Sequence, residues 1–211
     1  MTVPSAAELE AQVAERRETL GHSHPDTLTA MLDLAEALWG EGRLSAARPL
    51  EEAVVAGRRA LFGEVHPDTL KAIGKLAVTV GQQGNLAEAR RLQEQVVDGM
   101  RALHGPEARD TLRAVNNLAG TIGALGDAFV ARAMLDEAIE TLARVFGEDD
   151  ADTLTTMANL AALLWQYGER DNAFMLQERV ADTLHRIRGA DDPAAHDAYA
   201  VLDSMLREIE F

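Results

Sequence analysis

The sequence predicts an all-α protein, a right-handed superhelical solenoid of helix-turn-helix hairpins with a single capping helix at each end. Three observations predict it. Gly21, Gly63, Gly105, Gly147 and Gly189 are spaced by 42 residues each time without insertion. The residues after them repeat as well: His24-Pro25-Asp26-Thr27-Leu28 returns as His66-Pro67-Asp68-Thr69-Leu70, then as Asp110-Thr111-Leu112 and Asp152-Thr153-Leu154. Between these marks the apolar residues are spaced three and four apart, the period of an amphipathic helix.

Each unit reads as two helices. The first starts near Pro25, because proline suits a first turn whose N–H would be unpaired anyway. Asp26 and Thr27 beside it complement the positive end of the helix dipole. Leu28, Met31, Leu34, Ala35 and Leu38 form its apolar stripe. A second glycine (Gly42, Gly84, Gly126, Gly168) ends it, and an alanine follows five residues later at Ala47, Ala89, Ala131 and Ala173. The second helix is predicted over Leu44 to Leu61, with Ala47, Leu50, Val54 and Leu61 on one face. A turn of two or three residues makes the pair antiparallel, and hairpins that cannot bury their stripes alone stack.

The repeats therefore run 21–62, 63–104, 105–146 and 147–188 within a single repeat domain of 1–211. Residues 5–20 match a second helix without its first: Arg16 and Arg17 align with Arg58 and Arg59, and Val13 with Val55. Residues 193–209, in the closing segment 189–211, read as a first helix without its second, with Asp197, Asp203, Arg207 and Glu208 on a solvent-facing side.

Composition narrows the function. Of 211 residues, 20 are basic and 35 acidic, giving a net charge of −15. Such a protein lacks the basic footprint of a nucleic-acid binder and is repelled by anionic membranes. With no cysteine, disulfides, zinc–thiolate sites and thiol catalysis are excluded. No stretch approaches the roughly 18 apolar residues of a membrane span, and the N-terminus lacks the apolar run of a signal peptide. The expectation is a soluble, cytoplasmic protein.

The 42-residue period, the His-Pro-Asp-Thr-Leu opening, Asn116-Asn117-Leu118-Ala119 and the Gly-x-x-x-x-Ala hairpin resemble the tetratricopeptide repeats of kinesin light chains, over about residues 21–206. Many bacterial proteins carry similar repeats. The resemblance implies a superhelix whose concave wall, built from first helices, binds short extended peptides. It also implies that paired asparagines hold the peptide backbone, a role that passes by match to Asn116, Asn117 and Asn159. Leu32, Gly74 and Ala158 cannot take that role. The aromatic residue of the family's second helix is replaced by Glu51, Gln93, Leu135 and Gln177, so a motor partner is not implied.

Catalytic constellations are sparse. There is no glycine-rich phosphate loop, nucleophile elbow or His-Glu-x-x-His, so neither enzyme activity nor a cofactor is expected. His22 and His24 could be read as a metal pair, but His24 is also the repeat's own opening histidine. Glu148, Asp149, Asp150 and Asp152 could hold a hard cation, yet they lack calcium-loop spacing and read instead as a solvated helix cap.

The groove positions are more informative. One register of the first helices holds Asp33, Lys75, Asn117 and Asn159, and the register four residues earlier holds Thr29, Lys71, Arg113 and Thr155. Residues 71–113 contain seven basic and five acidic residues, against six and 17 over 134–211. Two readings stand: an anion site, or ordinary surface cations paired with nearby acids. Gly74, Gly81, Gly120 and Gly123 lie inside first helices at up to about 1 kcal/mol each relative to alanine, either for close helix approach or to open a groove floor. Trp39 and Trp165 share the register of Gly81 and Gly123, as binding or packing residues.

The expected function is a peptide- or protein-binding scaffold. Its partner would be an acidic segment or a free C-terminus held by Lys71, Lys75, Arg113, Asn116, Asn117, Asn159, Trp39 and Trp165. A homo-oligomeric assembly module is the alternative, and a small-molecule sensor ranks below both.

Overall fold

In a computed structural model that describes residues 4–209, ten α-helices and no strands are present among the described residues. The ends of the predicted domain, 1–3 and 210–211, the latter also the end of the closing segment 189–211, lie outside them. The helices fall into two compact units, Met1–Gly105 and Pro106–Phe211.

The first unit holds α1 (Ala6–Leu20), α2 (Pro25–Gly40), α3 (Leu44–Phe62), α4 (Pro67–Gln82) and α5 (Leu86–His104). Its helices pack in sequence, each against the next. Ser5 caps α1 through a capping box with Glu8. The caps of α2 and α4 are histidines: His24 Nδ1 accepts from the Asp26 amide and His66 Nδ1 from the Asp68 amide, both at 3.2 Å. The repeated opening histidine is thus a helix cap, which accounts for one arm of the His22–His24 pair. At the hairpin turn, Gly42 takes φ 74°, a left-handed conformation that costs glycine nothing. The Arg43 amide then reaches back to the Leu38 carbonyl and closes the helix end.

The predicted stripe of α2 is buried in full: Leu28, Met31, Leu34, Ala35 and Leu38. The stripe of α3 needs correction. Its buried residues are Ala47, Glu51, Val54, Val55 and Arg58, whereas Leu50 is half-buried and Leu61 exposed. Two positions of the true stripe are polar, so a search for apolar spacing alone rotates the face. Arg58 offsets the cost of its burial by donating to the Asp68 carbonyl at 2.9 Å. Arg16 does the same to the Asp26 carbonyl at 3.1 Å, as its alignment with Arg58 requires of a lone second helix.

Gly57 and Gly99 occupy one register in α3 and α5 and mark a close approach that spacing alone does not reveal. A Cβ at Gly57 would lie 2.8 Å from the δ-carbons of Leu28, and one at Gly99 only 2.6 Å from those of Leu70. Both leucines are buried, so neither swings aside freely. Gly99→Ala is expected to lower stability by about 1–2 kcal/mol, overpacking outweighing the roughly 1 kcal/mol gain in helix propensity. Urea unfolding measures it, and a stabilised variant would contradict the packing.

The second unit holds α6 (Arg109–Ala124), α7 (Ala128–Phe146), α8 (Ala151–Gln166), α9 (Arg170–Arg188) and α10 (Pro193–Ile209). Here α6 also touches α8 directly, so successive first helices share a face. Leu154, Met157, Val180, Ala181, Leu184, Ala195, Ala198 and Leu202 form the core under α10. The polar side of α10, with Asp197, Asp203, Arg207 and Glu208, faces solvent as predicted.

Candidate binding faces

Of the first-helix registers singled out from the sequence, Arg113, Asn117, Thr155 and Asn159 line hollows in the second unit, and Lys75 lines one in the first. In the second unit a hollow of about 310 Å³ is lined by Arg113, Asn116 and Asn117 of α6, Leu142 of α7, and Asp152, Thr155 and Thr156 of α8. A neighbouring hollow of about 410 Å³ lies among α8, α9 and α10, with Thr155, Ala158, Asn159 and Ala162 on its α8 side. The Asn159 amide donates to Asn116 Oδ1 at 3.0 Å. That bond uses one donor and one acceptor of the pair, and each amide retains further capacity. Asn117 is exposed.

Arg113 is half-exposed and carries a strong local bond, its Nε donating to Asp152 Oδ1 at 2.6 Å, with Asp110 at 4.0 Å. The Asp152 bond raises the Arg113 pKa, so its charge is permanent. Asp152 is held below the usual aspartate range: burial pushes it up, but Arg113 and Arg109 together outweigh that. Arg109 also binds both oxygens of Asp150 and lies over the Phe146 ring at 4.1 Å. Asp150 accepts from the Asp152 amide and caps α8. Glu148 pairs with Arg179 and Asp149 with Arg186. The acidic cluster is therefore an ion-paired network, and only one of its four members caps the helix. Among the described residues, no group of three or more His, Asp or Glu could hold a metal ion.

In the first unit a smaller hollow of about 220 Å³ is lined by Glu36, Trp39, Glu51, Lys75, Val78 and Thr79. Lys75 donates to Glu36 at 2.8 Å, so its charge is already matched. Lys71 is exposed one turn earlier on α4. The internal glycines divide: an added Cβ at Gly74 or Gly120 would meet open space, while one at Gly123 would lie 2.7 Å from Leu163. Close helix approach therefore accounts for Gly123, while Gly74 and Gly120 border open space and line none of these hollows. The tryptophans divide too. Trp39 lines the small hollow, whereas Trp165 is half-buried, donates to Glu208 at 3.0 Å and lies under Arg170.

Tandem helical hairpins with lined first-helix faces define an α-helical repeat scaffold, a fold typical of protein–protein interaction. Models of the tetratricopeptide repeat family match residues 27–68, 69–108 and 110–185, most of the sequence. The protein belongs to the tetratricopeptide repeat family, in the version found in kinesin light chain-like proteins. A single-residue variant of nearly identical kinesin light chain-type repeats from Podosopora anserina superposes with a TM-score of 0.76 at 27% identity, covering 88% of this protein and 87% of that one. BtubC (BKLC) from P. vanneervenii gives 0.76 at 21%, over 96% and 82%. Rap protein complexed with Competence and Sporulation Factor gives 0.69 at 11%, over 95% and 57%. The last two share the fold. No curated protein sequence matches significantly. Among the described residues no helix is long and apolar enough to cross a membrane.

Proposed function

We propose that the protein is a non-catalytic scaffold, a single repeat domain whose first-helix faces hold an extended peptide with an acidic side chain or a C-terminal carboxylate. The hollow of Arg113, Asn116 and Asn117 carries this reading. At its edge Arg113 commits its Nε to Asp152, and its half-exposed guanidinium keeps further N–H donors for a carboxylate. Asn117 is exposed, and Asn116 and Asn159 keep amide capacity for a peptide backbone. The division of labour suits the energies, since hydrogen bonds to charged groups contribute roughly 1.5–3 kcal/mol where neutral ones give about 1. The Rap complex offers a parallel, a bound factor on the same class of fold. Lys75 lines the separate hollow of the first unit and is left out of this site.

The test is fluorescence anisotropy with a labelled acidic heptapeptide bearing a free C-terminus, against its amidated all-glutamine counterpart. The acidic peptide is expected to bind saturably and to weaken as salt rises. Arg113→Ala is expected to lose roughly tenfold or more, and Asn117→Ala less. Equal binding of both peptides, or wild-type affinity in both variants, overturns the reading. The exposed Phe129 and Met175 of α7 and α9 would then point to assembly.

A further inference from the structure

Glu51 is the one acidic residue at its register, where Gln93, Leu135 and Gln177 stand in the other repeats. It is 3% exposed and lines the small hollow of the first unit. Thr79 Oγ1 donates to its Oε1 at 3.0 Å, and its Oε2 has no partner among the described residues. A buried polar atom without a partner is costly, and native proteins retain few of them.

The charges around it are uneven. Lys75 satisfies Glu36 at the rim and acts on Glu51 only through space. Glu36, Glu51 and Lys75 therefore leave one negative charge over when all are ionised. Trp39 and Val78, both exposed, provide apolar wall beside it. A volume of about 220 Å³ is below the 300–1,000 Å³ of drug-sized pockets. It suits one amino-acid side chain.

We propose that this hollow is a cation slot, taking the arginine or lysine side chain of a basic peptide, with Glu51 Oε2 as the buried acceptor and the Trp39 ring as the flanking surface. An ionised carboxylate accepts only, so its natural partner is a donor-only group such as guanidinium or ammonium. An aromatic wall adds cation–π attraction for the same group. The net charge of −15 concentrates basic partners around the protein. Burial raises the Glu51 pKa, and the Thr79 bond and Lys75 charge oppose that. A bound cation opposes it further, so the slot gains a counter-ion on binding. The slot uses residues of the first unit alone and does not depend on the peptide site at Arg113.

The experiment follows Trp39 emission in a Trp165→Phe background, so that one tryptophan reports. The probes are blocked pentapeptides Ala-Ala-Xaa-Ala-Ala with arginine, glutamine or glutamate at the centre. The arginine peptide is expected to change the emission saturably and the other two to do so at least tenfold more weakly. Glu51→Gln should lose roughly tenfold or more for the arginine peptide, the value of a charged hydrogen bond. Glutamine already stands at this register as Gln93 and Gln177, so that variant keeps the packing, which circular dichroism checks. Lys75→Met should tighten binding, because it frees Glu36. Saturable binding of the glutamate peptide as tightly as the arginine peptide overturns the slot. So does unchanged affinity in Glu51→Gln, weaker binding in Lys75→Met, or no saturable response to the arginine peptide.

Discussion

Replacing Asp150 with alanine is expected to lower stability by about 2 kcal/mol at neutral pH, and the loss should shrink in acid. Two contributions add. Asp150 Oδ1 accepts from the Asp152 amide at the start of α8, and losing such a cap costs about 1 kcal/mol. The same carboxylate binds Arg109 through both oxygens, at 2.9 and 3.0 Å. Arg109 is about a third exposed, so solvent screens the pair and a further 1 kcal/mol or so is a fair share. The pH dependence follows from the direction of the shift. Arg109, through hydrogen bonds that outweigh burial, lowers the Asp150 pKa. A lowered carboxylate pKa adds stability that is present above the ordinary aspartate value near 4 and lost as pH falls through the folded value. The ion-pair share should therefore shrink as pH falls below the ordinary aspartate value, and be lost once Asp150 is protonated in the folded state, while a protonated Asp150 keeps part of its cap. Urea unfolding at pH 7 and pH 3 measures both. A gap that widens in acid would reverse the assignment.

The hairpins were legible because glycine and proline mark their ends and the period never slips. Pro25, Gly42 and Gly63 each have one conformational use, and the fold puts them to it. The first-helix registers were legible for the same reason: Arg113, Asn116 and Asn117 share a helical face by spacing and do line one hollow. The stripe of α3 was not, because Glu51 and Arg58 are held in the interior by hydrogen bonds that no hydrophobic period records. The ion pairs were hidden by distance. Arg48 meets Glu88, Arg109 meets Asp150 and Arg132 meets Glu169, at separations of 40, 41 and 37 residues. These are close to one repeat, so aligning each repeat against its successor is the signal that finds them. The same network explains why a tally of basic residues over 71–113 overstates free positive charge: Lys75, Arg109 and Arg113 are each matched by an acid.

The registers of Glu51 and Arg58 in α3 carry leucines in α7, Leu135 and Leu142, each 1% exposed. Leu135→Ala is expected to cost about 3–5 kcal/mol, and Leu142→Ala about 2–3 kcal/mol. Both variants lose the same buried side-chain atoms, so the difference comes from the space left behind. Leu142 lines the hollow of Arg113, Asn116 and Asn117, and the volume vacated there joins a space that water already reaches. Leu135 lines none of the hollows described above, so the void it leaves is expected to stay empty or be filled by strained neighbours. For a protein of this length each kcal/mol corresponds to roughly 2–4 °C in melting temperature. The pair should therefore differ by several degrees in thermal melts followed by circular dichroism. A Leu142→Ala variant as unstable as Leu135→Ala, or more so, would mean that the vacated space does not open into the hollow. The floor of the proposed peptide site would then be a sealed core, and its depth would have to be drawn without Leu142.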